Sequence, residues 1–169
     1  DDGLSEEIHP PQCACNTNLD EKEEESAELP SVPHSGDITV DGHGPYPMID
    51  TGAGPSLVQT AWLKKAVSGW RDKVDRSGAS KVRFKLANGD KSTGPRGRIR
   101  LRLTVGGVTT THKFWVLDGL STNMIIGSDI LNREGAVINY RTRTIESVTW
   151  PAIRFDLKGA PKWRRATTI

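Results

Sequence analysis

Asp50 stands near the middle of the segment YPMIDTGAGPSLV, residues 46–58. Apolar residues run up to it at Met48 and Ile49. Small residues follow at Thr51, Gly52, Ala53 and Gly54, and the chain turns apolar again at Leu57 and Val58. An acid in this setting has a definable chemistry. The glycine admits backbone conformations that other residues avoid. Backbone N–H groups can then approach a carboxylate oxygen, and the threonine hydroxyl can bond across a turn or an interface. A carboxylate held this way can act as a general base. The same residues could instead close a loop as a plain Asx-type turn. Acid–base work by carboxylates usually takes two, so a catalytic Asp50 requires a second acid.

Cys13 and Cys15, with His9 and His34 nearby, are the other residues whose types suggest chemistry. Their Cys-x-Cys spacing fits none of the usual zinc patterns. They are read as incidental thiols, with no metal, no cofactor and no disulfide framework expected.

The elements that must position Asp50 are short and mostly strands. DITVDGHG predicts two strands joined at Asp41-Gly42-His43-Gly44, because Asp-Gly supplies the positive φ of tight turns. Met48 and Ile49 bring a buried strand into Asp50. Ser56–Val67 reads as a short helix, or as a strand leading into one. The polar stretch GWRDKVDRSGASK, with Gly69 and Gly78, reads as a loop. Val82, Phe84 and Leu86 alternate with charged residues up to Ala87-Asn88-Gly89-Asp90, a strong hairpin signal. Ile99, Leu101, Leu103 and Val105 alternate with Arg98, Arg100, Arg102 and Thr104 and predict a second hairpin through Gly106-Gly107. Its arginine face could be a nucleic-acid stripe, but such a face is more often the wet side of an antiparallel sheet. Met124–Ile126 is an apolar strand, and a short helix is expected from Ser128 to about Gly135. AVINYRTRTIESV supplies one or two more strands.

Asp50-Thr51-Gly52-Ala53, then a Gly-bearing hairpin, then Ile125-Ile126-Gly127 before a short helix resembles, in that order, a retroviral-type aspartic protease (a retropepsin). MIDTGAGPSLV, LANGDKSTGPRGRIRLRLTVGG and FWVLDGLSTNMIIGSDIL are most similar to the proteases of gypsy-type LTR retrotransposons and related retroviral elements. The resemblance spans residues 36–148. It implies an all-β, small closed barrel-like fold with one or two short helices, active as a homodimer. The second carboxylate would be Asp50 of the partner chain. Asp50, Thr51 and Gly52 would form the catalytic loop. Ala53, Leu86, Ala87, Asn88, Gly89 and Asp90 would contact an extended peptide or polyprotein substrate, the last five in a flap. Ile125, Ile126 and Gly127 would brace the loop from beneath. The chain departs from the family's pattern in a more polar flap, with Asp90 and Lys91 near its tip, and in a longer segment between Gly69 and Ser80.

Bulk composition sets the frame. The 169 residues carry a net charge of +2, but residues 1–35 sum to −9, which leaves +11 for the remainder. Residues 1–35 are therefore expected as a disordered acidic arm, residues 36–148 as the protease domain, and residues 149–169 as a tail or polyprotein linker. No apolar run approaches the roughly 20 residues needed to span a bilayer, and DDGLSEEIHPPQ is acidic and lacks the basic and apolar parts expected of a signal peptide. A cytoplasmic protein, or one inside an intracellular or viral-like particle, is expected, with no membrane partner and no nucleic-acid partner. The alternative is a catalytically silent module of the same fold used for binding or assembly.

Overall fold

The computed structural model describes residues 31–85 and 92–159. The chain opens with β1 (Ser31–His34), β2 (Ile38–Val40) and β3 (Met48–Ile49). After the Asp50 loop, β4 (Leu57–Gln59) runs directly into helix α1 (Thr60–Ala66). Helix α2 (Trp70–Lys73) and a 3-10 turn (Ala79–Lys81) lead to β5 (Phe84–Lys85) and β6 (Ser92–Thr93). The long strands β7 (Gly97–Val105) and β8 (Val108–Leu117) follow. Then β9 (Met124–Ile126) enters helix α3 (Ser128–Glu134). The strands β10 (Val137–Asn139), β11 (Thr144–Glu146), β12 (Ile153–Arg154) and β13 (Asp156–Gly159) complete the described chain.

One sheet takes eight strands in the order β13-β1-β3-β9-β4-β8-β7-β2. β7 and β8 pair along their whole length, from Gly97 opposite Val116 to Val105 opposite Val108. Their strict alternation buries Ile99, Leu101, Leu103 and Val105 and turns the even-numbered residues of β7 away from the core. The centre of the sheet behaves differently. Ile49, Val58, Val116, Met124 and Ile126 belong to the main core, whereas their chain neighbours Met48, Leu57, Leu117 and Ile125 join a second cluster with Ala53 and Phe84. Strands covered on both faces read as unbroken apolar runs, which is why MI, LV and MII flank the Asp50 loop with no polar alternation.

Several elements differ from the sequence expectation. The stretch expected as a loop after Gly69 holds α2, because the Trp70 ring is buried and draws a helical turn onto the core. Among the described residues there are thus three short α-helices where one or two were expected. The turn at Asp41-Gly42 forms, with Val40 and His43 exchanging backbone bonds of 2.8 and 2.9 Å. No second strand of that hairpin follows, because β2 pairs with β7 and β3 with β1 and β9. Pairing also extends past both expected domain edges. β1 lies before residue 36, β13 lies after residue 148, and they run antiparallel from Ser31 opposite Gly159 to His34 opposite Asp156. The cause is apolar anchoring: Trp150, Ile153 and Phe155 are buried in the main core.

Candidate active site

Asp50 lies at the end of β3, where the chain leaves the sheet for the loop that returns as β4. The strand between those two is β9. It runs parallel to β3, with Met48 opposite Ile125 and Ile49 opposite Ile126, and antiparallel to β4, with Leu57 opposite Ile125. Both stems of the loop are therefore fastened to one completely buried strand. Ile125 and Ile126 are fully buried and sit directly beneath the loop.

The loop itself is tightly bonded. The Asp50 N–H donates to the Ile126 carbonyl at 3.0 Å, and the Ala53 N–H donates to the Asp50 carbonyl at 3.2 Å. The Gly52 N–H donates to Asp50 Oδ1 at 3.0 Å, which orients the carboxylate. Asp50 is half-buried, Thr51 and Gly52 are exposed at the tip, and Ala53 is buried. A Cβ on Gly52 would stand 3.4 Å from Asp50 Oδ1, an ordinary contact. Gly127 is different. A Cβ there would lie 2.7 Å from both the Ala53 and the Pro55 carbonyl oxygens. Only glycine lets the start of α3 approach the loop this closely.

Two further residues hold the loop and were not singled out from the sequence. Ser56 is fully buried, and its Oγ donates to Asp129 Oδ1 at 2.5 Å while accepting the Gly127 N–H at 2.8 Å. The Ser56 N–H donates to Asp129 Oδ2 at 3.1 Å. From the first turn of α3, the Ser128 and Asp129 N–H groups donate to the Ala53 and Gly54 carbonyls at 2.7 and 3.0 Å. Ser56 and Asp129 are 73 positions apart, so no local spacing pairs them. The only sequence signal is that each is a polar residue at the margin of an apolar run.

The structure thus brings Asp50, Thr51, Gly52, Ala53, Ile125, Ile126 and Gly127 together. Leu86, Ala87, Asn88, Gly89 and Asp90, expected as the flap, lie outside the described residues. The base of their hairpin is described: Phe84 opposes Thr93 and Lys85 opposes Ser92. Phe84 is buried and meets the Trp115 ring edge-on at 5.9 Å, which seats the hairpin on the cluster that also contains Ala53. Among the described residues no His, Cys, Asp and Glu side chains gather as a metal site. No helix there is long and apolar enough to cross a membrane.

Residues 36–133 match the family described as "gag-polyprotein putative aspartyl protease". The match covers more than half of the chain, and the chain belongs to this family of retropepsin-like aspartic proteases. Among solved structures it is similar to the retroviral protease-like domain of Ddi1 from Leishmania major. That likeness has a TM-score of 0.59 at 20% identity and covers 77% of this chain and 95% of that one. A retropepsin-like aspartic protease from Rickettsia conorii matches at 0.43 and 18%, covering 66% of this chain and 87% of that one. The EIAV protease complexed with the inhibitor HBY-793 matches at 0.39 and 17%, covering 63% and 88%. The first of these shows that the fold is the retropepsin fold. No curated protein matches the chain in sequence.

Proposed function

We propose that the protein is an aspartic endopeptidase that works as a homodimer, with one Asp50 from each chain forming the catalytic pair. The observation that carries this reading is the Asp50 loop: a half-buried carboxylate, oriented by the Gly52 N–H, at the start of a loop fixed on both stems. One such loop per chain supplies one acid, and twofold symmetry supplies the other. Two carboxylates held together do not readily ionise at once, so the pair shares a proton. The ionised member takes a proton from water as that water attacks the scissile carbonyl. The protonated member donates to the carbonyl oxygen; the member that took the water proton then delivers it to the departing amine, and the first regains its proton from the diol as the new carboxyl forms. Thr51, exposed at the tip, would bond across the twofold axis. The exposed backbone at Gly52 and the hairpin resting on Phe84 would border a cleft for a peptide bound as an extended strand. Closure of that hairpin would exclude water from the reacting bond. A substrate of this shape, together with family membership, favours processing of a retroelement polyprotein, in the cytoplasm or inside a particle.

Cleavage of a peptide library by the purified chain, compared with Asp50→Asn, tests the reading. Cleavage at mildly acidic pH by the unaltered protein and its loss in the variant are expected. Equal turnover by both would remove Asp50 from the mechanism.

A further inference from the structure

The outer face of the β7–β8 hairpin forms a groove of about 520 Å³ with Lys73, Arg98, Arg100, Arg102 and Lys113 on its walls. Four of these come from two adjacent strands. Lys73 is carried in by α2, whose C-terminal end is tied to β7 through two backbone bonds between Asp75 and Arg98, of 2.7 and 2.9 Å. The wet side of a sheet normally mixes charges of both signs. Among the described residues, none of these five cations forms an ion pair. The one acid in the groove, Asp75, is occupied by the Ser77 N–H at 2.9 Å and the Ser77 hydroxyl at 2.7 Å.

The register adds a second observation. Arg100 stands directly opposite Lys113, and like charges in that position destabilise a strand pair. Arg98 Nε is buried with no hydrogen-bond partner among the described residues, while its guanidinium lies 5.1 Å from the centre of the Trp115 ring. The arginines recur at every second residue, about 7 Å apart along the strand. A small anion would satisfy one of them, whereas an extended polyanion would satisfy the row.

We propose that this groove binds the phosphodiester backbone of a single nucleic-acid strand, with Arg98, Arg100, Arg102, Lys73 and Lys113 as the phosphate contacts. The arginine fork matches phosphate geometry. A positive groove beside an aromatic ring is the arrangement that holds single strands without sequence preference. An acidic polypeptide is the competing occupant, and residues 1–35 of this chain, at −9, have that chemistry.

The test is fluorescence anisotropy of a labelled 20-nucleotide single-stranded RNA with the full chain. It needs no peptidase activity and so stands apart from the proposed catalysis. With these five contacts and a slope near 0.7 per contact, affinity should fall about 130-fold between 50 and 200 mM salt. The exposed pair Arg100→Gln/Arg102→Gln, whose side chains leave the core untouched, should weaken binding about tenfold or more and flatten the slope by about 1.4. Absence of binding at low salt, or unchanged affinity in the double variant, would overturn the proposal. Binding that appears only after Glu21, Glu23, Glu24 and Glu25 are changed to Gln would overturn it too, because it would assign the groove to the chain's own acidic arm.

Discussion

Ser56 does three jobs with one hydroxyl and one N–H: it binds both oxygens of Asp129, accepts from Gly127, and closes the stem of the Asp50 loop. Ser56→Ala leaves the Gly127 N–H and the Asp129 carboxylate without that partner. An unsatisfied group in such a place costs about 1–3 kcal/mol. The expected outcome is a Tm drop of several degrees, with cleavage reduced but not abolished, since Asp50 itself is retained. A complete loss of turnover with an unchanged Tm would show that Ser56 acts in chemistry instead. A second residue-scale prediction concerns pH. Arg96 grips Asp118 with two bonds, Nε to Oδ1 at 2.9 Å and the second guanidinium nitrogen to Oδ2 at 3.0 Å. These bonds, chiefly, hold the Asp118 carboxyl below its usual range. A carboxyl lowered on folding contributes stability above its unfolded pKa and loses it as pH falls through the lowered value. The pair is about half exposed, so its contribution is at most about 1 kcal/mol. Asp118→Asn should therefore melt slightly earlier at neutral pH, and the gap should close below the usual carboxylate range. A gap that persists there would point to packing rather than charge.

At the scale of elements, β9 and α3 form one unit that presents the loop from below. The far end of α3 is anchored by Glu134, a buried carboxylate that accepts from Ser147 and Thr149 and bonds His112 at 2.8 Å. His112 faces Trp150 edge-on, and Trp150 Nε1 donates to Thr110 at 3.0 Å. β8, α3 and the turn before β12 thus meet at one side chain. Glu134→Ala would strand His112 in the core and remove a partner from Ser147 and Thr149 nearer the surface, at a cost of about 1–3 kcal/mol. Because α3 also donates to the Ala53 and Gly54 carbonyls, the variant should loosen the Asp50 loop along with the core. Hydrogen exchange at Ser128 and Asp129 is the measurement, and unchanged protection there would refute the coupling. These elements also show what the sequence made legible. β7 and β8 were readable because one face is wet and the alternation is visible. β3, β4 and β9 were readable only as apolar runs, since burial on both faces erases the period that would have distinguished strand from helix. The helix at Trp70 was hidden because one buried ring, not a periodic stripe, fixes it. Glu134 and Asp129 could not be foreseen as anchors, because their partners are distant in sequence and joined only by the fold.

For the whole molecule, the question raised by Asp50 becomes one of assembly. A site completed by symmetry makes activity a property of pairs, whereas a site complete in one chain does not. The β1–β13 pairing bears on how such pairs form. The first and last described strands are joined within one chain, and among the described residues β13 is the outer strand at its end of the sheet. An edge strand offers backbone groups to a second chain, so a dimer that added a strand beside β13 would not require dismantling the β1–β13 pair. Mixing separates the two cases. If Asp50→Asn chains exchange freely with unaltered ones, an equal mixture contains only about a quarter unaltered homodimer by random pairing. At fixed total protein and above the dimer Kd, cleavage should fall to about that fraction. Independent chains would retain about half. With unaltered protein held constant, an excess of the variant should suppress cleavage steadily toward zero. A rate that stays flat through that titration, with exchange verified by mass, would place both catalytic groups within a single chain and remove the shared pair.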